Sequence, residues 1–244
     1  MKHEIQGAVR KPQNLQVPPG VRLDQAVRPE DLILRSNLFS KVMVQSLSKV
    51  LKVIRDPRLA VALVNAQVRM QGRAQVPLSV RLYGKVHITG KGEVVFGQGV
   101  SLTGTVVPIE FVSRRGALIT IGDRTFINYG TSISAHQLVS VGRDCLLGHY
   151  TFILDNNEHD SEQHNLVPPS APVVIEDNVW IGSRVSILPG VRIGHHAAIG
   201  AGSVVTRDIP SYALAVGNPA RVIRYLNMDK SWGLQLRRTH PSSA

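Results

Sequence analysis

Two histidines in an acidic, amide-rich stretch are the first residues in this chain whose types suggest chemistry. His159 and His164 stand in LDNNEHDSEQHNLVPPSAP, residues 154–172. An imidazole with an ordinary pKa near 6.5 is mostly neutral at neutral pH and can take the proton of a hydroxyl as it attacks a carbonyl. Such general-base help is typically worth about 10²- to 10⁴-fold. Asp155 and Glu158 could orient the ring, although acidic residues also keep loops soluble. By composition alone His159 reads as a solvated loop residue. Elsewhere Asn128 lies in GDRTFINYG, His149 and the pair His195–His196 stand apart from this stretch, and Cys145 is the single cysteine. One cysteine cannot form a bridge within one chain, which suits a reducing compartment.

The elements that must position these groups are written in a period of six. Ile175, Ile181, Ile187, Ile193, Ile199 and Val205 recur at every sixth position, and Val179, Val185, Val191, Ala197 and Ser203 follow the first five anchors by four. Neither a helix nor a simple strand has that period; it is a hexapeptide repeat. Six residues make one short extended side and a corner, roughly 20 Å at about 3.3 Å per residue. Three sides close a triangular coil, and stacked coils bury the anchors in columns and pair each backbone with the next.

The register reappears at Ile121, Ile127 and Ile133, slips by two, and resumes at Val141, Leu147 and Ile153; a weaker run covers Leu82, Ile88, Phe96 and Leu102. The expected prism therefore spans about 80–208. Cys145 falls at the small interior position of its hexad and reads as core filler. After Ile153 the hexads stop, and a polar stretch closed by Pro168, Pro169 and Pro172 precedes Val173. A loop of this kind, over 155–173, cannot sit inside a prism and must project from it.

The stretch IEDNVWIGSRVSILPGVRIGHHAAIGAGSVVTRDIPSYALAVGNPARVIR, Ile175–Arg224, resembles the hexapeptide-repeat acyltransferases, particularly the maltose, galactoside and polysaccharide O-acetyltransferase branch. The resemblance covers about 118–226. It implies a left-handed parallel β-helix, although the general crossover rule alone would favour right-handed coils, and a homotrimer with active sites between subunits. It implies acetyl-CoA as co-substrate, a saccharide hydroxyl as acceptor, and direct attack in a ternary complex. On this resemblance His159 is the catalytic base, and Asn128 and Asp155 face the acceptor. Trp180 and Ser183 lie beside the thioester, Ala201 and Gly202 offer backbone groups to the pantetheine arm, Thr206 and Arg207 lie farther along, and Arg221 and Arg224 are near the nucleotide. Family members often carry proline after the histidine, where this chain has Asp160, and lysine where Arg207 stands. A related prism family holds zinc between subunits with three histidines. Its other ligand spacings are not found here, and His195–His196 occupies a corner expected to point the two side chains apart, so no metal is expected.

The formal net charge of +11 favours anionic partners, and residues 1–70 hold 12 Lys/Arg against 5 Asp/Glu. Residues 1–36, with four prolines, read as an extended arm. Within 37–79, Leu38, Val42, Leu47, Val50, Leu51 and Ile54 fall at helical spacing among lysines, a basic amphipathic segment that packs on protein or docks on an anionic membrane. No nucleic-acid module accompanies it. Residues 209–244 read as a cap crossing the prism's end and a loose tail. No apolar stretch reaches the roughly 20 residues that cross a bilayer, and the charged start has no secretion-signal pattern, so the expected location is cytoplasmic, at most peripheral to the inner membrane face. Beside O-acetyl transfer stand two alternatives: N-acylation of a nucleotide-linked amino sugar, and a catalytically silent scaffold.

Overall fold

The structure, a computed structural model, describes residues 56–160, 163 and 165–227. Of the helical segment expected over 37–79, residues 37–55 lie outside the described residues, as does the arm before it. A helix, α1 (Pro57–Met70), opens the described chain. Asp56 caps it by accepting from the N–H groups of Arg58 and Leu59 at 3.0 and 3.3 Å, and Pro57 fits its first turn, where no backbone donor is needed. Ala62, Ala66 and Met70 form its buried stripe. Asn65 donates to the carbonyls of Leu82 and Gly84, so α1 covers part of the open edge of the first coil.

Seventeen strands follow: β1 (Arg81–Gly90), β2 (Glu93–Phe96), β3 (Ser101–Ser113), β4 (Leu118–Ile121), β5 (Phe126–Ile127), β6 (Ser132–Ala135), β7 (Leu138–Val141), β8 (Leu146–Leu147), β9 (Phe152–Leu154), β10 (Val173–Ile175), β11 (Trp180–Ile181), β12 (Ser186–Ile187), β13 (Arg192–Ile193), β14 (Ala198–Ile199), β15 (Val204–Val205), β16 (Ala213–Gly217) and β17 (Ala220–Tyr225). They build three walls of parallel strands. Wall one stacks β2, β4, β7, β10 and β13; wall two stacks the start of β3, then β5, β8, β11, β14 and β16; wall three stacks the end of β3, then β6, β9, β12 and β15. The long strands β1 and β3 pass through a corner without a break, and their pairing shifts register between Gly84 and Val86. A Cβ on Gly84 would run into the Gly104 carbonyl, and its φ of 90° also demands glycine.

The hexad anchors face inward. Ile175, Ile181, Ile187, Ile193, Ile199 and Val205 are buried, as are the small-position residues Val179, Val185, Val191, Ala197 and Ser203. Ile181 pairs with Ile199 one coil on and Leu147 one coil back. Because Ile181 packs between the coils on both sides of it, Ile181→Ala is expected to cost about 2–5 kcal/mol, read as the shift in chemical-unfolding midpoint at fixed protein concentration. Cys145 is wholly buried at its small position, and burial pushes its thiol up to about 12.

Corners repeat a three-residue step whose last residue is left-handed, at Arg124, Asp144, Asn178 and His196 after wall one and at Gly130, Tyr150, Arg184 and Gly202 after wall two. The C-terminal region differs from a direct crossing of the prism's end. Small Ala213 and Ala215 allow β16 to extend wall two beside β14, and only then does β17 return antiparallel along the outer edge.

Candidate active site

The projecting loop leaves wall three at Leu154 and rejoins wall one at Val173. Its neck is closed by the Ala171 N–H donating to the Asp155 carbonyl at 2.8 Å. Asp155 itself is fully buried: Oδ1 accepts from the N–H of His136, and Oδ2 from those of Gln137 and Leu138, each at 2.7 Å. The carboxylate thus satisfies three backbone donors of the neighbouring corner and has no face open to a ligand. This corrects the expectation that Asp155 meets the acceptor; it anchors the loop. Asn156, also buried, donates to the Pro168 carbonyl and Ser170 Oγ and accepts from the Glu158 N–H.

Beyond this clamp His159 is carried on the exposed side of the loop, with its N–H bonded to the Asn157 carbonyl at 2.7 Å. His164 lies outside the described residues. Glu158 does not stand behind His159. Its φ is 64°, and its carboxylate lies 3.0 Å from His136 Nε2 and 3.2 Å from Arg114. The hydrogen bond with His136, then the charge of Arg114, hold Glu158 below the ordinary glutamate range. Since the folded value is the lower one, this contribution is complete above the unfolded value of about 4.3 and is lost as pH falls through the folded value. Protection of the 156–160 amides, the ratio of intrinsic to observed exchange rate at each pH, is expected to hold from neutral pH down to that range and to fall below it, whereas Glu158→Gln is less protected throughout. His136 went unnoticed in the sequence because it belongs to a corner one coil earlier; counting coil register from Ile133 and Ile153 brings the two together.

The remaining expected residues lie outside the loop. Asn128 opens the corner between walls two and three, where its Oδ1 accepts from the Tyr129 N–H at 2.9 Å; the left-handed residue of that corner is Gly130. By register Tyr129, His149, Ser183 and Ala201 stack at the middle of successive corners. Ser183 Oγ is 2.9 Å from His149 Nδ1, and the rings of Tyr129 and His149 stack with centroids 5.1 Å apart. Trp180 points outward from wall two, 44% exposed, in a column with Leu146 and Ala198. Thr206 and Arg207 are exposed at the corner from which the loop projects, two coils on, and Arg221 and Arg224 are exposed on β17. The open groove lined by Val95, Thr120, Ser140 and Asp177 on wall one contains none of these residues.

One corner therefore carries His159, and another, a wall's width away at roughly 20 Å for six residues of about 3.3 Å, carries Asn128, Ser183, Ala201 and Gly202. A single chain does not bring the two sets together.

His195 and His196 differ from expectation. Their Nδ1 atoms approach to 3.1 Å, because both rings turn onto Tyr212 of the next coil, with centroids 4.9 and 5.0 Å away. Burial, and then the neighbouring His195, lower the pKa of His196. Among the described residues no cluster of three His, Cys, Asp or Glu side chains is placed to hold a metal ion.

Comparison with known proteins bears on the family. The model of the bacterial transferase hexapeptide, six repeats, matches residues 172–207. WbbJ of Escherichia coli strain K12, named as a lipopolysaccharide-biosynthesis O-acetyl transferase, is 32% identical over 159 residues, 60% of this chain and 79% of that protein. The chain belongs to the hexapeptide-repeat transferase family. Within that family, the galactoside O-acetyltransferase of the same organism is 40% identical over 114 residues, 46% of this chain, and the match spans only 56% of its length. A solved Bacillus cereus structure named as an acetyltransferase superposes with a TM-score of 0.51 at 26% identity, covering 67% of this chain and 85% of that one. The hexapeptide-repeat prism described above is the family's left-handed parallel β-helix.

Proposed function

We propose that this hexapeptide-repeat protein is an acetyl-CoA-dependent O-acetyltransferase acting on a sugar hydroxyl of a cell-surface polysaccharide or its precursor, with His159 as general base. One observation carries the reading: the stack is interrupted once by a clamped loop that holds an exposed imidazole out from the prism. The names of the two Escherichia coli relatives support O-acetyl transfer in particular.

In this mechanism the acceptor oxygen attacks the thioester carbonyl while His159 takes its proton. The tetrahedral intermediate collapses with breakage of the carbon–sulfur bond, and the imidazolium returns the proton to the departing CoA thiolate. No acyl-enzyme forms, because a thioester is already activated. Exposed Trp180 with Ala201 and Gly202 would border the pantetheine arm, and Thr206 and Arg207 would lie farther along it. Arg221 and Arg224 would supply guanidinium donors shaped for phosphate oxygens. Asn128 would hold the acceptor.

Because His159 and the Asn128 corner are a wall apart, the proposal requires a second chain, and a closed three-fold ring supplies one site per subunit pair. The expected result is complementation. Homogeneous His159→Ala and Asn128→Ala proteins show little turnover of acetyl-CoA with a glycan acceptor, and assemblies co-expressed from both regain a measurable part. Mixed assemblies as inactive as their parents would refute the shared site, and an active enzyme sedimenting as a monomer would do the same. An alkali-stable product would mean amide rather than ester. The proposal puts the enzyme in the cytoplasm, with its basic first 70 residues drawn to the anionic inner face of a membrane bearing a lipid-linked acceptor.

A further inference from the structure

The stacked corner holding Ser183 contains more than the acetyl-transfer proposal uses. His149 sits one coil before Ser183 at the same corner position, with Nδ1 2.9 Å from the serine oxygen. The imidazole has little freedom. Tyr129 stacks against one face at an interplanar angle of 16°, and Tyr150 meets the ring at 79° with centroids 5.7 Å apart. Tyr129 and Tyr150 are themselves packed edge to face at 5.5 Å. Two tyrosine rings thus hold one imidazole nitrogen against one hydroxyl.

At the corner after wall one, by contrast, neighbouring coils are tied by exposed ion pairs, Arg124 to Asp144 and Arg143 to Asp177. Such pairs stabilise a ladder weakly and orient nothing. The His149–Ser183 pair is of another kind, since a hydroxyl has a single hydrogen and two lone pairs, so its partner decides what it can offer elsewhere. If the imidazole accepts, the serine hydrogen is consumed and only lone pairs face outward. If the imidazole donates, the hydrogen is left to point away from the ring. Acyl transfer builds negative charge on the thioester oxygen, and a donor already aimed there is the useful arrangement.

We infer that His149 is a positioning residue: it donates Nδ1–H to Ser183 Oγ and so directs the serine hydroxyl hydrogen toward the thioester carbonyl oxygen. The inference rests on the acetyl-transfer reading, which puts the thioester beside Ser183. Tyr129 holds the ring in that orientation, and Nε2 is left as the unprotonated nitrogen. Ser183 is then the group that touches the reacting atoms, and His149 acts only through it.

Two arms test this on the full chain. In ¹⁵N-labelled protein at alkaline pH, ring nitrogen–proton correlations are expected to show His149 protonated at Nδ1, with that signal moving in Ser183→Ala. A proton on Nε2 instead overturns the inference. In the kinetic arm, Ser183→Ala is expected to lower kcat about 100-fold and His149→Phe, which keeps a ring against Tyr129, about tenfold, with the acetyl-CoA KM within about twofold in both. The double variant should be no slower than Ser183→Ala alone, since the histidine has nothing left to orient. Losses that multiply in the double variant, or a His149→Phe enzyme with wild-type kcat, overturn it. The spectroscopic arm needs no turnover, so the two readings fail separately. The expected tautomer in a protein that transfers no acetyl group overturns the transfer reading and the positioning role with it. The other tautomer in an active enzyme overturns the positioning role alone.

Discussion

Alanine in place of His159 is expected to lower turnover at least about 100-fold while acetyl-CoA affinity stays within about twofold. The asymmetry follows from where the residue stands. The residue is exposed beyond a loop neck tied at Asp155 and Ala171, so its removal leaves no cavity in the core and keeps that tie. Binding of the coenzyme would rest on Trp180, the small Ala201–Gly202 corner and the arginines at 207, 221 and 224, none of which shares the loop. The loss should therefore appear in kcat, with thermal unfolding unchanged. The checks are steady-state kinetics with a glycan acceptor, calorimetric titration of CoA, and a melting curve. A variant that keeps near-wild-type turnover removes the general base from the mechanism.

A second large effect is expected at a residue that touches no substrate. Asp155→Ala removes a fully buried carboxylate that accepts from three partly buried corner donors, the N–H groups of His136, Gln137 and Leu138. A hydrogen bond to a charged group is worth about 1.5–3 kcal/mol net, and water can take over part of it at a partly exposed corner, so a loss of about 3 kcal/mol is expected. The neck would loosen together with the corner, because the Asp155 carbonyl closes the loop. Turnover should fall with stability although His159 is intact, and amide exchange should rise over 155–160 and 136–138 before it rises in β11 or β14. Asp155→Asn is expected to be intermediate, since one amide oxygen remains as acceptor while the NH₂ group faces a donor. An alanine variant with unchanged exchange at these residues would show that the corner is held by something other than this carboxylate.

Much of this was legible in the chain because a hexapeptide period is a local pattern with a global consequence. Once Ile175 through Val205 repeat without a miss, burying their side chains leaves almost no solution but stacked short sides, and the two-residue slip after Ile133 marks a corner. The same logic made the polar stretch after Ile153 a projection: buried hexads cannot absorb it, and a histidine among polar residues there reads as solvent-facing. What resisted reading was any relation across coils. From the sequence Asp155 reads as a group for the acceptor or the imidazole, or as a loop acid that aids solubility, and only the position of the neighbouring corner shows its oxygens filled. Glu158 turns to His136 and Arg114, and His195 and His196 turn together onto Tyr212. Each partner lies at least one coil away.

The sequence by itself determined the prism, its interruption and the presence of an imidazole on the interruption, since these follow from which side chains must leave water. Tertiary structure alone decided which side chains share a corner: it separated His159 from Asn128 by a wall, seated Asp155 under a backbone turn, and set His149 against Ser183. The reason is geometric. Periodicity fixes which way a residue faces, whereas its neighbour above or below depends on how many residues each preceding coil used, and slips and loops change that number.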